Sequence, residues 1–492
     1  MAVVVMSGAM QGVDAIQIRV EVDLLRRLPA ITIVGLAQGA VKESAERIRS
    51  AVEALGEEFP RKRVVVNLAP ADVRKEGTAL DLPIALGILA ADGRLPLDAV
   101  ARVLAVGELA LSGDLRPVRG ALSLALLART HGRVLVVPRA CAASAALVPG
   151  VEVVGADHLG EVVEWLRGTR SLGTEPANPA RVTPSGVDLS EVRGQSYARY
   201  ALEVAAAGAH HLLMIGPPGC GKSMLARRLP TILPPMPFGE ALDTTRIFSA
   251  AGLLGEDALV EERPFRAPHH SVTVAGLVGD QTLRPGEVSL AHNGVLFLDE
   301  APEFTRTAIE VLRQPLEDGL IRLSRARGTI EYPAAITLVM AANPCPCGRW
   351  EVSNCGCTRE IRDRYLRKLS GPILDRIDLH VTLRPVRSRE LLEAPTGESS
   401  ETVRTRVAEA RDRQRARGQT VPNARLANAE LDRHVRLTDR ARELLVTGSE
   451  NLSGRATSRV LRVARTLADL ERRDVVGPDQ VLGALAFRQA EP

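Results

Sequence analysis

The sequence predicts an α/β protein with two α/β parts followed by a helical part. Three observations support this prediction. In the first third of the chain, β-branched runs bounded by turn residues alternate with runs that have helical apolar spacing. Near residue 216, a glycine-rich phosphate-loop motif lies between an apolar run and a helical run. After about residue 400, the chain is mostly helical in pattern and rich in arginine.

The first predicted part, residues 1–168, alternates strands and helices. Its predicted strands include Ala30–Gly35, Arg63–Leu68 and Val134–Pro138. Its predicted helices include Ala37–Leu55 and Leu80–Ala91. We expect residues 169–186 to form a linker, because Ser171–Gly186 is rich in Pro, Gly, Ser and Thr and has little to bury.

The second predicted part, residues 187–390, alternates strands and helices around the phosphate-site motifs. A soft boundary at Ala394–Glu401 separates it from the helical part, which we place at residues 391–492. No internal repeat of about 20–50 residues is visible. The expected organisation is therefore α/β, linker, α/β and helices.

The composition is that of an ordinary globular protein. The chain has 492 residues, 45% apolar and 25% charged, which corresponds to about three domains. No apolar stretch is long enough to span a membrane, and no basic flank marks a secretory signal. Six cysteines in this length do not indicate a disulfide framework, so we expect a cytoplasmic protein. The net charge of +4 is too small to indicate a nucleic-acid partner by itself.

The most specific motif is GPPGCGKS, which matches the phosphate-loop pattern G-x-x-x-x-G-K-[ST] at every fixed position. It follows the apolar run His211–Ile215 and opens the helical run Ser223–Leu229. Its glycines let backbone N–H groups surround phosphates at a helix N-terminus. We expect an ATP site in which Lys222 contacts the β- and γ-phosphates and Ser223 binds Mg²⁺. The expected nucleotide-binding residues are Gly216, Pro217, Pro218, Gly219, Cys220, Gly221, Lys222 and Ser223.

A pair of acids follows an apolar run at Val295–Glu300, with sequence VLFLDE. Parallel α/β sheets bind ligands at the ends of such strands. We expect Asp299 to bind Mg²⁺ and Glu300 to orient or deprotonate the attacking water. Taken alone, each motif has an ordinary alternative, a chance glycine turn for the first and solvated acids for the second. Together they predict a hydrolysing P-loop enzyme.

Two further polar positions are candidates for the γ-phosphate. Asn343 follows the predicted strand Thr337–Ala342, and the alternative is that it only forms an Asn-Pro turn. Arg376 lies between two acids in GPILDRIDLHV, and the alternative is a salt-bridged surface arginine.

Four of the six cysteines form a cluster in the sequence, within residues 345–357. They are Cys345, Cys347, Cys355 and Cys357. Four thiolates favour a closed tetrahedral site, which for such ligands indicates Zn²⁺. The spacing C-x-C-x₇-C-x-C is tighter than the usual zinc pattern, so a reactive thiol patch and an iron–sulfur cluster remain open. We expect the single residues Cys141 and Cys220 to be small buried or loop residues.

Five segments together resemble the YifB/ComM family of magnesium-chelatase-like AAA+ ATPases. They are GPPGCGKS, RPFRAPHH, PGEVSLAHNGVLFLDEAPEF, AANPCPCG and GPILDRID. The resemblance spans essentially the whole chain and implies an AAA+ core, a C-terminal helical lid and a homo-hexameric ring. It implies that Asn343 is sensor 1, that Arg376 is an arginine finger donated to a neighbouring subunit, and that Arg455 is the sensor 2 arginine. A finger supplied across a boundary would couple hydrolysis to ring assembly.

The resemblance also implies a Lon-protease-like fold for residues 1–168. The family segment with the nucleophilic serine matches KEGTALD, where Ala79 takes the serine position. The segment with the catalytic lysine matches GELALSGDLRPVRGALSL, where Leu124 takes the lysine position. Neither side chain can act as nucleophile or base, so we expect a scaffold, an oligomerisation surface or a DNA-facing collar rather than a peptidase. As substitutes, Ser123 and Lys75 are more simply explained as surface or turn residues.

Three classes of function are alternatives for the predicted ATPase. The family resemblance favours a DNA helicase or translocase for branch migration in recombination or natural transformation, acting on branched or single-stranded DNA. The alternatives are a metal-chelatase motor subunit and a protein-remodelling ATPase without DNA. The basic run Val403–Gly418 could contact phosphates, although a solvated Arg/Glu face explains it equally well. Aromatic residues are only 3%, so base-stacking platforms must be few.

Overall fold

The computed structural model describes most of the chain. The described residues are 2–35, 39–71, 78–173, 186–253, 259–280, 284–325, 328–349, 355–369, 371–385, 397–450 and 452–489. By their contacts they divide into two compact units. Unit 1 comprises 1–182, 241–260 and 322–332, and unit 2 comprises 183–240, 261–321 and 333–492. Most of the expected linker and part of the expected boundary near residue 394 lie outside the described residues.

Unit 1 is built mainly from the first third of the chain. Its strands are β1 Val3–Gln11, β2 Asp14–Leu25, β3 Ala30–Val34, β4 Arg63–Ala69, β5 Val103–Ala105, β6 Glu108–Leu109, β7 Leu115–Arg116, β8 Val134–Pro138 and β9 Val153–Ala156. Its helices are α1 Gly39–Ala54, α2 Asp81–Ala91, α3 Leu97–Ala101, α4 Ala121–Thr130, α5 Arg139–Ala146 and α6 Leu159–Leu166. The predicted strands and helices quoted above are all confirmed, with ends that differ by a few residues at most.

A mixed seven-stranded sheet forms the frame of unit 1, in the order β3-β4-β2-β1-β5-β8-β9. Strands β1 and β2 pair antiparallel along their whole length, and β5, β8 and β9 continue the sheet in parallel. Helix α2 is apolar on all sides and almost wholly buried, as expected for a helix inside a core. At its centre, Gly87 allows close packing, because a Cβ there would lie 2.6 Å from the Val22 side chain.

Unit 2 contains the phosphate-site motifs and the C-terminal helices. Its main strands are β10 Leu212–Ile215, β11 Phe265–Arg266, β12 Val295–Leu298, β15 Thr337–Ala342 and β16 Leu379–Thr382. Two elements extend from it into residues grouped with unit 1, the helix α9 Phe238–Ala251 and the hairpin of β13 Leu320–Arg325 with β14 Gly328–Pro333. The other helices are α7 Ser196–Gly208, α8 Lys222–Ile232, α10 Val274–Val278, α11 Glu287–Leu290, α12 Arg306–Glu310, α13 Arg313–Asp318, α14 Arg359–Leu366, α15 Gly371–Leu374, α16 Ser400–Ala416, α17 Asn428–His434, α18 Asp439–Gly448, α19 Gly454–Leu470 and α20 Pro478–Gln489.

The five main strands of unit 2 form one parallel sheet in the order β11-β12-β15-β10-β16. Leu298 of β12 pairs with Met340 of β15. The preceding residue of β15, Val339, pairs with Leu212 of β10 on the other side. The strands are buried apolar runs, which is typical of a parallel sheet covered on both faces. Their carboxyl ends therefore lie along one edge, where such sheets bind ligands.

The C-terminal helices share one hydrophobic core with this sheet. Val339 and Leu379 of the sheet belong to the same buried cluster as Val407, Val463 and Leu485 of the helices. The described part of residues 397–489 thus lies in the same compact unit as the sheet, and a separate helical lid stays a prediction. Among the described helices, none combines the length and the apolar character needed to cross a membrane.

A buried carboxylate connects the C-terminal helices to the residue that precedes β16. Asp378 is fully buried and accepts hydrogen bonds from the His211 backbone at 3.2 Å and from Arg459 of α19 at 2.7 Å. His210 lies 3.2 Å from the same carboxylate and 2.7 Å from Thr466 of α19. Burial by itself raises the pKa of Asp378, but Arg459 and His210 bring it far below its ordinary value. Its contribution to stability is therefore present above the unfolded pKa of about 3.9 and is lost as the pH falls toward the folded value.

We predict that Arg459→Met lowers the free energy of unfolding by about 3–5 kcal/mol, because it leaves the Asp378 charge buried without its main partner. The matched control is Arg472→Met, whose pair with Glu409 is largely exposed, at 68% and 46% for the two side chains. That change is expected to cost at most about 1 kcal/mol. Urea unfolding followed by circular dichroism measures both values. Equal costs for the two variants would contradict the role of Asp378.

Candidate nucleotide-binding site

The phosphate loop connects β10 to α8 at the carboxyl edge of the parallel sheet. Gly219 and Gly221 have φ angles of 79° and 94°, in the left-handed region that favours glycine. Gly216 is needed for a different reason, because a Cβ there would lie 2.9 Å from the Leu383 carbonyl oxygen. A Cβ at Gly219 would meet nothing within 4 Å, so this side of the loop is open to a ligand.

Lys222, the first residue of α8, folds back over the loop. Its Nζ donates hydrogen bonds to the Gly216 oxygen at 2.6 Å, to the Pro217 oxygen at 3.0 Å and to Asn343 Oδ1 at 3.1 Å. Burial lowers the pKa of Lys222 below its ordinary value, while Asp299 and other nearby acidic groups act in the opposite direction. The phosphate-loop ammonium and the residue after β15 are thus brought into direct contact.

The next residue along α8 meets the first acid after β12. Ser223 Oγ donates to Asp299 Oδ2 at 2.6 Å, so the two residues expected to bind Mg²⁺ are adjacent. A hydroxyl and a carboxylate are oxygen ligands of the kind that Mg²⁺ takes together with water and phosphate oxygens. The residues present therefore fit a magnesium site beside the phosphate loop.

Glu300 is the second acid, and its backbone is unusual. Its φ of 50° lies in the left-handed region, and its amide donates to Asp299 Oδ1 at 3.0 Å. A non-glycine residue in this region is strained, and such strain collects at functional sites. The side chain is 55% exposed, and Oε2 lies 3.5 Å from Nδ1 of His270. The carboxylate is therefore accessible to water next to the predicted magnesium ligands.

Two residues of this site were missed in the sequence analysis. His270 lies within the quoted segment RPFRAPHH, so the pattern contained it without indicating a role. Gln195 donates its side-chain amide to the Cys220 oxygen at 3.2 Å and to the Arg384 oxygen at 2.6 Å, with a φ of 52°. It thereby fixes the phosphate loop from the start of α7. No motif around Gln195 could have indicated this contact.

The structure brings Arg376 and Arg455 together on one carboxylate. Arg376 is only 3% exposed and donates to Glu317 and to the Pro372 oxygen. Arg455 is 58% exposed, and its Nη1 lies 3.3 Å from the same Glu317. Burial lowers the pKa of Arg376 and Glu317 raises it, while Arg455 and Arg313 lower it further. We call Arg376 and Arg455, which share Glu317, the arginine cluster.

The four cysteines of the predicted metal module also converge, and we call them the cysteine cluster. The Sγ atom of Cys347 lies 3.4 Å from that of Cys345, 3.5 Å from that of Cys355 and 3.5 Å from that of Cys357. Cys345 and Cys355 are 3.7 Å apart. These separations are too long for disulfides, whose sulfurs are about 2.05 Å apart. In the described residues this is the group of cysteines, histidines and acids that could hold a metal ion.

The two single cysteines are both buried, as expected. In unit 1, Leu124 is buried at 1% exposure, and Ala79 precedes α2. The expectation that Ser123 is a surface or turn residue was wrong. Ser123 is 3% exposed on α4, where its hydroxyl donates to the Val13 oxygen at 2.5 Å. Lys75 lies outside the described residues.

The basic run after residue 400 is a helix whose arginines hold other elements, so neither earlier interpretation describes it fully. Arg406 pairs with Glu203 and Glu398, and Arg411 donates to the Ala206 oxygen at 2.8 Å. Val407, one turn before Arg411, is buried. These contacts give the helix a structural role against α7.

A parallel sheet that presents a phosphate loop, a hydroxyl–carboxylate pair and a polar strand end at one edge defines a P-loop nucleotide-binding protein. Three family models match the chain. They are described as magnesium chelatase, subunit ChlI, over residues 188–391; subunit ChlI of Mg-chelatase, over residues 20–141; and magnesium chelatase, subunit ChlI C-terminal, over residues 397–488.

Curated relatives match almost the full length. An uncharacterised protein of Mycobacterium tuberculosis is 45% identical over 98% of both chains. The uncharacterised protein YifB of Salmonella typhimurium is 44% identical over 99% of this chain and 96% of its own. The competence protein ComM of Haemophilus influenzae is 41% identical, over 99% and 97%. The chain belongs to the YifB/ComM family of magnesium-chelatase-like AAA+ ATPases, which implies ATP and Mg²⁺.

Proposed function

We propose that the chain is an ATP-hydrolysing motor that works as a homo-hexameric ring on branched or single-stranded DNA. The observation that carries the hydrolytic part is the contact of Ser223 with Asp299, beside Lys222 and the exposed Glu300. Together these side chains supply a cation for the phosphates, oxygen ligands for Mg²⁺ and a carboxylate for the attacking water at one place.

Each residue has a distinct role in this proposal. Lys222 exchanges its carbonyl partners for the β- and γ-phosphates, and Ser223 and Asp299 hold Mg²⁺, which neutralises the charge that develops on the phosphates. Glu300 accepts a hydrogen bond from the attacking water and orients or deprotonates it. Asn343 offers its amide beside Lys222, where a sensor of the γ-phosphate is needed.

The arginine cluster supports assembly of a ring. Arg376 and Arg455 share the single carboxylate of Glu317, so the cluster has more positive than negative charge. We propose that Arg376 exchanges Glu317 for the γ-phosphate of a neighbouring subunit, where extra positive charge stabilises the transition state, and that Arg455 acts as the sensor 2 arginine. Hydrolysis would then depend on assembly.

DNA is proposed as the substrate because of the relative named a competence protein, which matches over nearly its full length. The paired arginines of α16 give no additional support, since they already contact protein groups. A metal-chelatase motor subunit is the second candidate, favoured by the match of three magnesium-chelatase family models. A protein-remodelling ATPase is the third.

Two further parts complete the proposal. Residues 1–168 form a Lon-protease-like scaffold without peptidase activity, since Ala79 and Leu124 offer neither a nucleophile nor a base. The cysteine cluster binds a structural Zn²⁺. In a regular tetrahedron with Zn–S bonds of about 2.3 Å, the sulfurs are about 3.8 Å apart. The measured separations of 3.4–3.7 Å are close to this value.

We predict that Glu300→Gln keeps ATP binding but lowers turnover by about a thousandfold or more, because the amide cannot accept the proton of the water. Lys222→Ala should instead weaken ATP binding itself by at least about tenfold. Binding is measured with a fluorescent ATP analogue and turnover by phosphate release. Lys368→Ala, which removes an exposed lysine near Glu303, is the control and should change neither. Normal turnover by Glu300→Gln would refute the assignment.

The ring prediction uses two inactive chains. Arg376→Ala should bind ATP and hydrolyse it slowly, and Asp299→Asn should be inactive with its Arg376 intact. Mixing them should restore part of the activity, because some junctions pair a complete phosphate loop with a complete arginine cluster. Arg472→Ala serves as the control for Arg376→Ala, and thermal melting confirms that each variant is folded. No recovery at any ratio, with mixed rings seen by light scattering, would place Arg376 outside a neighbour's site.

The DNA prediction separates the three candidate functions. The protein should bind forked or single-stranded DNA more tightly than blunt duplex, most tightly with a non-hydrolysable ATP analogue, and its ATPase rate should rise at least about threefold with such DNA. Affinity should fall as salt increases, because phosphate contacts release counterions. The measurements are fluorescence anisotropy and steady-state ATPase assays. An ATPase that ignores every DNA form, with no detectable binding at low salt, would favour a chelatase-type or protein-remodelling motor.

A further inference from the structure

A very short segment of chain connects the nucleotide site to the cysteine cluster. Only Asn343 and Pro344 separate the end of β15 from Cys345, which is fully buried. Pro344 restricts the backbone of the preceding residue, so little freedom remains between the two sites. The position of the Cys345 sulfur therefore constrains Asn343, whose side chain contacts Lys222.

A second contact joins the cluster to the phosphate loop directly. The Gly348 amide donates to the Cys345 oxygen at 2.9 Å and closes a turn, with a φ of 71° at Gly348. A Cβ at Gly348 would lie 2.8 Å from the Pro218 ring and 3.9 Å from the Asn343 side chain. The turn that carries Cys345 and Cys347 thus packs against the phosphate loop.

The other end of the cluster leads into α14. Cys357 is followed by Thr358, whose hydroxyl caps the helix by accepting from the Ile361 amide. Tyr365 on this helix is buried and lies beside the backbone of Asn343. Asn343 therefore contacts Lys222 and is restricted by its short connection to Cys345.

The described residues between β15 and α14 form neither a helix nor a strand. A segment without secondary structure has little to order it except its own contacts, and a structural metal ion contributes folding free energy directly. Loss of the ion would release both the Cys345–Gly348 turn and the start of α14. The turn packs against Pro218, and α14 carries Tyr365, which lies beside the Asn343 backbone.

We propose that the metal ion in the cysteine cluster is a positioning device for ATP hydrolysis, which fixes Asn343 and Pro218 against the bound phosphates. This inference rests on the proposed ATPase function. Metal loading then controls turnover. The cluster itself touches no reacting atom. Its effect is expected on turnover much more than on ATP affinity, because Asn343 senses the γ-phosphate while the loop backbone still binds the nucleotide.

The test begins with metal content, which does not depend on ATPase activity. Wild-type protein prepared without chelator should contain about one zinc per chain. Protein reloaded with Co²⁺ should show the absorption bands of tetrahedral thiolate coordination. Cys357→Ser should fall below about a tenth of an equivalent, whereas Cys357→His should keep the ion because imidazole is also a zinc ligand. Cys141→Ser is the matched control and should keep full zinc. An absence of bound metal, or an iron–sulfur spectrum, would overturn the proposal.

Turnover is then compared with ATP affinity in the same proteins. Cys357→Ser should lose at least about tenfold in kcat with ATP affinity within about threefold, and Cys357→His should recover most of that loss. Gly348→Ala should keep its zinc yet also lose at least about tenfold in kcat, because its Cβ displaces Pro218. Gly418→Ala is the control for backbone strain, since its φ is 81° and a Cβ there meets nothing within 4 Å.

Two results would overturn the coupling. One is a Cys357→Ser protein that lacks zinc and retains its turnover, and the other is a Gly348→Ala protein with the turnover of Gly418→Ala. The Gly348 comparison decides the matter even if Cys357→Ser does not fold. A wild-type protein that holds zinc but never hydrolyses ATP would instead refute the proposed function, and with it the coupling, while leaving the metal site intact.

Discussion

The nucleotide site depends on the common edge of one parallel sheet. Because β10, β12 and β15 run in the same direction and pair in parallel, the residues that follow them lie close together at one edge of the sheet. The phosphate loop follows β10, the acid pair follows β12 and Asn343 follows β15. Two hydrogen bonds connect these residues, one from Lys222 to Asn343 and one from Ser223 to Asp299. A shift of one strand by one residue would turn its side chains to the other face and separate these groups.

Charge is distributed unevenly around this edge. Asp378 is buried with strong partners and connects the sheet to the helical tail. Two residues earlier, Arg376 is buried against Glu317, which it shares with Arg455 from the tail. The same short segment therefore carries a contact that stabilises unit 2 and an arginine proposed to act on a neighbour.

Local patterns were sufficient to predict the strands and helices named from the sequence and to place the phosphate loop and the acid pair at the ends of strands. The phosphate-loop motif and the acids after β12 each have a fixed local geometry, and a parallel sheet brings them together. Contacts between distant segments could not be predicted. The burial of Ser123 depends on the backbone of Val13, and the partners of Arg406 come from α7 and the segment before α16. Val13 lies far from Ser123 in the sequence, and Glu203 lies far from Arg406, so local patterns do not indicate these contacts.

The common core of the sheet and the tail has a consequence for biosynthesis. Phe487 and Leu485 lie in the same buried cluster as Val295 and Met214, so this core is incomplete until α20 has been synthesised. Until then, the apolar side chains of the cluster lack the part of their cover that α20 supplies. Partly folded chains with apolar surface exposed in this way are prone to aggregate. A nascent chain of this protein therefore exposes part of this core until α20 has left the ribosome.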